Sequence, residues 1–176
     1  MSTRAVVIDA SVAIAIVLDE PAGLRAEQIL RGWVAGERPI FVPGHFWLEV
    51  VNTLGKAHGA GGQRVLAAVH RMDAFGLQTL ELDRPQLLQV IDRVERLRLS
   101  ACDAMYLVLA ESLDAELATL DRELAAAAGP RSITFDEAHG LHEASAVYER
   151  DVTWPSYRGA SAYLAKLRAE ALAERA

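Results

Sequence analysis

The stretch Ala5–Glu20, AVVIDASVAIAIVLDE, is an almost unbroken apolar run that is closed by two acids and carries one further carboxylate, Asp9, within it. Ala5–Ile8 has the composition of a buried strand, and the apolar segment Ser11–Leu18 is long enough for a helix. A buried strand that passes directly into a helix is typical of a parallel α/β sheet. Asp9 would then stand at the carboxyl end of the first strand, where open parallel sheets form their binding sites.

Short strand-like runs alternate with longer helical runs as far as Phe135, and proline and glycine mark several of their ends. This alternation predicts an α/β fold similar to a three-layer sandwich, in which helices cover both faces of a central parallel sheet of about five strands. The strands are predicted at Ala5–Ile8, Ile40–Val42, Leu77–Leu82, Glu116–Thr119 and Ser132–Phe135. The helices are predicted at Ser11–Leu18, Pro21–Gly36, Gly44–His58, Gln63–Phe75, Pro85–Leu97, Ala101–Leu113 and Arg122–Ala128.

The character of the chain changes after Phe135. We expect a core domain at 1–136 and a mostly helical C-terminal extension at 137–176, which ends in the amphipathic segment SAYLAKLRAEALAER. The apolar and aromatic content of the extension is too high for a disordered segment. We therefore expect it to pack on the core or on a second subunit.

The composition of the chain indicates in which cell compartment the protein works and which class of partner it does not suit. The 176 residues suit one domain, and the net charge of −6 argues against a protein that coats nucleic acid, since such proteins are usually basic. Arg4 and the apolar run after it resemble the opening of a secretory signal, but Asp9 would cost about 2.5–3.5 kcal/mol inside a membrane. The single cysteine, Cys102, cannot form an internal disulfide. We expect a cytoplasmic protein with no membrane contact.

Three further acids fall where they could meet Asp9. Asp121 lies just after the end of the fourth predicted strand, Asp103 opens the helix after Ser100, and Glu49 lies on the third helix. Acids gathered at one edge of a sheet repel each other, and this repulsion raises their pKa values unless a cation compensates. Mg²⁺ is the natural partner because it prefers carboxylate oxygens and keeps waters for a substrate phosphate.

Each acid also has a purely structural interpretation. Asp9 and Asp121 could cap the helices that follow them. The segment Ser100–Asp103 resembles a capping box with Asp in place of the usual Glu or Gln. Glu49 could lie on a helical face that is merely solvated. That face also carries His45, Asn52 and Lys56.

Three blocks of the sequence resemble those of PIN-domain ribonucleases, and most closely the VapC toxins of bacterial toxin–antitoxin pairs. The blocks are VVIDASV, PGHFWLEVVNTL and SACDAMYLVLAESLDAELATLDREL, in family order within about residues 4–135. The resemblance implies a PIN-like fold and metal-dependent cleavage of RNA to 3′-hydroxyl and 5′-phosphate ends. It also implies a cognate antitoxin protein as partner, and we expect a homodimer.

The resemblance assigns roles to seven residues. Asp9, Asp103 and Asp121 would hold one or two Mg²⁺ ions, with Mn²⁺ as a substitute. Glu49, which opens the motif Glu-x-x-Asn, would hold or deprotonate the attacking water. The carboxylates would be oriented by Ser11, Asn52 and Thr119.

Other protein classes also place acids on a parallel sheet. Phosphatases with an aspartate nucleophile need a second Asp two positions later, where this chain has Ser11. A receiver domain needs an acidic pair ahead of a central acceptor Asp and a late Lys, and the last predicted strand lacks that Lys. The alternative function is therefore a non-catalytic, Mg-binding, receiver-like or PIN-like signalling or binding module. The complete set of acids disfavours it.

Overall fold

The computed structural model describes residues 4–135, which contain five strands and seven α-helices. The strands are β1 (Val6–Ile8), β2 (Ile40–Pro43), β3 (Gln78–Leu80), β4 (Glu116–Ala118) and β5 (Ser132–Ile133). The helices are α1 (Ala10–Val17), α2 (Pro21–Ala35), α3 (His45–Asn52), α4 (Gly62–Asp73), α5 (Arg84–Leu97), α6 (Ala101–Ser112) and α7 (Arg122–Ala128).

The strands form one parallel sheet in the order β3-β2-β1-β4-β5, which confirms the predicted α/β fold. The chain builds the sheet outward from β1 in one direction through β2 and β3. It then crosses back to add β4 and β5 on the other side of β1. Ligands of open α/β sheets bind at such a switch point, outside the carboxyl ends of the strands. The switch point of this sheet lies between β1 and β4.

The element ends differ from prediction by a few residues, and the third helix differs in kind. It was expected to run from Gly44 to His58, but its α-helical part ends at Asn52 and a π-helical turn covers Thr53–Ala57. The His58 N–H accordingly bonds to the Thr53 carbonyl, five residues back. Gly55 lies inside this turn, where its low helix propensity favours a departure from the α-helix.

Two groups of helices cover the sheet. Helix α1 contacts α2, α3 and α4, whereas α6 contacts α5 and α7 together with β1, β2 and β4. Helices α1 and α2 approach so closely that a Cβ on Gly23 would lie 2.0 Å from the carbonyl oxygen of Ala15. Only glycine fits at that position.

The direction of α6 decides where Asp103 lies. Helix α6 ends at Ser112 and β4 begins at Glu116, so the chain reverses in three residues. The helix therefore runs against the strands, and its first turn lies at the carboxyl edge of the sheet, as Asp9 does. Within residues 4–135, no helix has the length and apolar content needed to cross a bilayer. The predicted extension at 137–176 lies outside the described residues.

Candidate functional site

Asp9 is a buried carboxylate at the carboxyl end of the central strand. It is 5% exposed, and its Oδ2 accepts hydrogen bonds from the hydroxyls of Ser11 at 2.5 Å and Thr119 at 2.8 Å. Asp9 stands at the N-cap position of α1, but its side chain makes no capping hydrogen bond there. The capping interpretation is therefore wrong for Asp9, whose carboxylate is held by hydroxyls at the switch point.

The same two hydroxyls also accept hydrogen bonds from the backbone after β4. The Ser11 Oγ accepts from the Leu120 N–H at 3.0 Å, and the Thr119 Oγ1 accepts from the Asp121 N–H at 2.9 Å. Each hydroxyl thus fixes the Asp9 carboxylate to the segment that carries Asp121. Asn52 lies elsewhere: it is exposed at the end of α3 and, within residues 4–135, donates no hydrogen bond to an acid.

Glu49 and Asp103 are close enough to Asp9 to change its ionisation. Burial raises the pKa of Asp9, the hydrogen bonds from Ser11 and Thr119 lower it, and the charges of Glu49 and Asp103 raise it further. The net result is a raised pKa. A buried carboxylate that faces two like charges fits a hard divalent cation, since such a cation offsets the repulsion and accepts oxygen ligands.

Asp103 and Ser100 form half of the predicted capping box. The Ser100 Oγ accepts from the Asp103 N–H at 3.1 Å and donates to the Asp103 Oδ2 at 2.6 Å. The Asp103 carboxylate therefore accepts from the Ser100 hydroxyl, whereas in a full capping box it would accept from the Ser100 backbone N–H. This contact holds the carboxylate in the first turn of α6.

Asp121 is a helix cap in this structure. Its Oδ1 accepts from the backbone N–H groups of Glu123 at 2.8 Å and Leu124 at 2.9 Å, at the start of α7. The capping interpretation is therefore correct for Asp121. The Asp121 side chain is exposed, and the link to Asp9 runs through the Asp121 backbone N–H, which donates to the Thr119 hydroxyl. The Asp121 carboxylate makes no contact with Asp9, so the structure gathers Asp9, Glu49 and Asp103 more closely than Asp121.

Glu49 is surrounded by three side chains to which the sequence assigned no role in the site. They are Tyr106, His45 and Cys102. The Tyr106 hydroxyl donates to Glu49 Oε2 at 2.5 Å, and His45 Nε2 lies 3.4 Å from the same oxygen. The rings of His45 and Tyr106 pack with centroids 4.7 Å apart. One signal was present in the sequence, because His45 precedes Glu49 by four residues and so shares its face of α3.

The ionisation of this second group follows from burial and from Glu49. Burial lowers the pKa of His45, although the nearby Glu49 carboxylate raises it, so the imidazole is held towards its neutral form. Burial raises the pKa of the Cys102 thiol, and the charges of Glu49 and Asp103 raise it further. Burial and the hydrogen bond to Glu49 raise the pKa of Tyr106, so its hydroxyl stays a donor.

Glu81 adds another acid near the start of α3. A Cβ on Gly44 would lie 2.1 Å from a Glu81 carboxylate oxygen, so glycine permits this close approach. The carboxylate therefore packs against the N-terminal end of α3, where the helix dipole favours negative charge.

The raised pKa of Asp9 predicts a pH-dependent stability difference from the Asp9→Asn variant. The folded carboxyl binds a proton more readily than the unfolded one, whose pKa is near 3.8. Proton uptake therefore stabilises the folded wild-type protein as the pH falls through the folded pKa. We expect the free energy of unfolding of wild type, minus that of the variant, to increase as the pH falls from neutral. Urea melts of both proteins across a pH series with a chelator measure this difference. Parallel pH profiles would contradict it.

Solved structures that are similar to this chain include proteins from three organisms. PAE2754 from Pyrobaculum aerophilum is 23% identical, with a TM-score of 0.56 over 74% of this chain and 89% of that chain. A toxin–antitoxin complex from Klebsiella pneumoniae is 21% identical, with a TM-score of 0.56 over 76% and 99%. VapC20 of Mycobacterium tuberculosis, a toxin that cleaves the sarcin–ricin loop, is 16% identical, with a TM-score of 0.57 over 70% and 95%. At these identities the likeness establishes the fold.

No curated protein matches the sequence. A family model described as the PIN domain matches residues 6–130. This range runs from β1 to the turn after α7 and includes all four predicted acids. The match covers more than half of the chain, so the protein belongs to the PIN-domain family.

Proposed function

We propose that this protein is a metal-dependent ribonuclease of the VapC type, the toxin of a toxin–antitoxin pair. The proposal rests on one observation, the buried Asp9 carboxylate at the switch point of a PIN-domain sheet. The nearby charges of Glu49 and Asp103 raise the pKa of this carboxylate. The structures of similar fold include a toxin–antitoxin complex and an RNA-cleaving toxin, which supports both the activity and the antitoxin.

Asp9, Asp103 and Asp121 would hold Mg²⁺ or Mn²⁺. When bound, the cation would make water more acidic and offset the charge that develops on the scissile phosphate. Ser11 and Thr119 hold the Asp9 carboxylate in one orientation through their hydrogen bonds to Oδ2. In metal sites, the carboxylate ligands are commonly held in one orientation by hydrogen bonds from neighbouring side chains.

Glu49 is the proposed general base. Its carboxylate would accept the proton of the attacking water, so that hydrolysis leaves 5′-phosphate and 3′-hydroxyl ends. The Tyr106 hydroxyl holds Glu49 Oε2 at 2.5 Å, while Glu49 itself stays 32% exposed and open to solvent. A carboxylate that is held in place yet accessible to solvent supports this role, since a general base must reach the proton of the attacking water.

The proposed partners are an RNA substrate, a cognate antitoxin and a second copy of the chain. The proposed location of the protein is the cytoplasm. Large apolar side chains are exposed on α3, where Leu48 is 71% exposed, and on α5, where Leu88 is 61% exposed. Large apolar side chains exposed on two helices support contact with another protein.

Two assays separate this function from the receiver-like alternative. The purified chain is incubated with RNA and Mn²⁺, and in parallel with acetyl phosphate. We expect RNA fragments with 5′-phosphate ends and no phosphorylated protein. Stable phosphorylation of an aspartate, with intact RNA, would instead establish the receiver-like function.

The Tyr106→Phe variant is expected to lose about tenfold in kcat, or ~1.4 kcal/mol, because it removes the donor that orients Glu49. Phe keeps the ring in the core, so the free energy of unfolding should fall by at most about 2 kcal/mol. Glu49→Gln is the matched comparison, and it should lose nearly all activity. Cleavage rates and urea melts of the three proteins measure these effects. Unchanged kcat in Tyr106→Phe would rule out a positioning role.

A further inference from the structure

A second set of potential ligands lies beside the acids. One ring nitrogen of His45, one carboxylate oxygen of Glu49 and the Sγ of Cys102 all lie within 4.8 Å of one another. In the part of the chain that the structure describes, no other three His, Cys, Asp or Glu side chains come so close. We propose that His45, Glu49 and Cys102 form a Zn²⁺ site that withdraws Glu49 from catalysis. The inhibitory part of this proposal rests on the proposed nuclease function.

The donor atoms select the class of cation. Imidazole nitrogen, carboxylate oxygen and thiolate sulfur are the ligands of Zn²⁺, and three protein ligands leave a fourth position for water. Mg²⁺ takes oxygen ligands and has little affinity for a thiolate. The site formed by His45, Glu49 and Cys102 therefore favours Zn²⁺, whereas the carboxylates of Asp9 and Asp103 favour Mg²⁺.

The distance between His45 and Glu49 suits a shared ion. Tetrahedral Zn²⁺ holds N and O ligands at about 2.0–2.2 Å each, which places the two donors roughly 3.3–3.5 Å apart. His45 Nε2 and Glu49 Oε2 are 3.4 Å apart in the structure. This arrangement needs little movement of either side chain, since both lie on α3 one turn apart.

His45 has unmet hydrogen-bonding capacity. Both of its ring nitrogens are buried, and among residues 4–135 neither makes a hydrogen bond of good geometry. The nearest polar groups are the Cys102 backbone and the Glu49 carboxylate, whose Oε2 is 3.4 Å from Nε2. Buried nitrogens of this kind are rare in folded proteins, because a buried polar atom loses its bonds to water. A cation bound at Nε2 supplies the missing partner.

Tyr106 and Cys102 complete the arrangement from α6. Tyr106 donates to Glu49 and packs against the His45 ring, which fixes the orientation of two of the three ligands. Ligating carboxylates in metal sites are commonly held in this way. Cys102 is exposed in the first turn of α6, so an ion can enter from solvent. On binding, the thiol loses its proton to solvent.

Zinc at this site would inhibit the nuclease. A Glu49 carboxylate that ligates Zn²⁺ cannot accept the proton of the attacking water, although Asp9 and Asp103 stay free to bind Mg²⁺. The inhibition would be reversed by a chelator.

Titration of the full-length protein with Co²⁺, followed by Zn²⁺ displacement, tests binding without any reference to activity. Cys102 is the single cysteine, so a thiolate-to-cobalt charge-transfer band reports on this residue alone. We expect the band in wild type and in Asp9→Asn, which lacks one acid of the nuclease site. The band should vanish in Cys102→Ser, and its midpoint should rise at least tenfold in His45→Asn. No band in wild type, or an unchanged midpoint in His45→Asn, would overturn the site.

The inhibitory part is tested by Zn²⁺ titration of Mn²⁺-supported RNA cleavage. Cys102→Ser should need at least tenfold more Zn²⁺ than wild type for half inhibition. Equal sensitivity of the two proteins would place the inhibitory ion at the aspartates and overturn the proposal. If wild type cleaves no RNA, the proposed function fails, while the cobalt titration still decides the metal site.

Discussion

The Asp9→Asn variant should cleave RNA at least about 1000-fold more slowly than wild type, a loss of ~4 kcal/mol in transition-state stabilisation. Asn keeps the shape of Asp9, and its amide oxygen can still accept from Ser11 and Thr119. It lacks the negative charge by which a carboxylate binds a divalent cation more strongly than a neutral amide oxygen does. The loss should therefore arise from metal binding, with the fold intact.

Growth of cells that express the chain alone gives a second measurement of the same effect. Wild type should slow growth, whereas Asp9→Asn should not. Asp73→Asn is the matched control, because it makes the same change in charge at a side chain that is 55% exposed on α4. It should be as toxic as wild type. Equal, unimpaired growth with all three proteins would count against the toxin assignment.

Mn²⁺ should raise the melting temperature of the wild-type protein, because the proposed site would bind the ion in the folded state and the ion would relieve repulsion among the acids. The stabilisation follows RT ln(1 + [L]/Kd), which is roughly 2.7 kcal/mol at a hundredfold excess of metal over Kd. Thermal melts over a Mn²⁺ series measure it. A melt that is indifferent to millimolar Mn²⁺ would exclude a shared metal site.

The Asp103→Asn and Cys102→Ser variants separate the two metal sites in this experiment. Asp103→Asn should lose the Mn²⁺ shift, whereas Cys102→Ser should keep it. Without metal, Asp103→Asn should be at least as stable as wild type, unless weakening of the Ser100 contact costs more, on the order of 1 kcal/mol. Lower stability with an unchanged Mn²⁺ shift would instead assign Asp103 to helix capping.

The fold was predictable because local signals agree with the tertiary structure. The apolar run of β1, the prolines and glycines at element ends and the alternation of short and long runs all favour one architecture. Thr53–Ala57 is the exception. Its π-helical turn arises within a segment whose apolar pattern continues to His58, and Gly55 is the single local signal of a departure from the α-helix. One glycine does not decide between an α-helix and a π-helical turn, so the end of α3 at Asn52 was missed.

The surroundings of Asp9 were more predictable than those of Glu49. Ser11 follows Asp9 by two residues, and Thr119 ends the fourth predicted strand, so the sequence itself suggests that both side chains lie near Asp9. Tyr106 meets Glu49 across 57 residues, through packing of α6 against the sheet and its neighbours. No periodicity in the sequence reports which residue of one helix touches another. The catalytic and orienting roles remain predictions.

The order of strands in the sheet bears on how the protein is made. Strand β4 lies beside β1, yet it is the fourth strand to leave the ribosome, and the hydrogen bond from Thr119 to Asp9 spans 110 residues. A nascent chain that ends before Glu116 leaves one edge of β1 unpaired and lacks both Thr119 and Asp121. The hydrogen-bonded setting of Asp9 is completed only when nearly all of the core has been translated. If the proposed nuclease function holds, a growing polypeptide of this kind would carry no finished catalytic centre that could attack the RNA of the ribosome producing it.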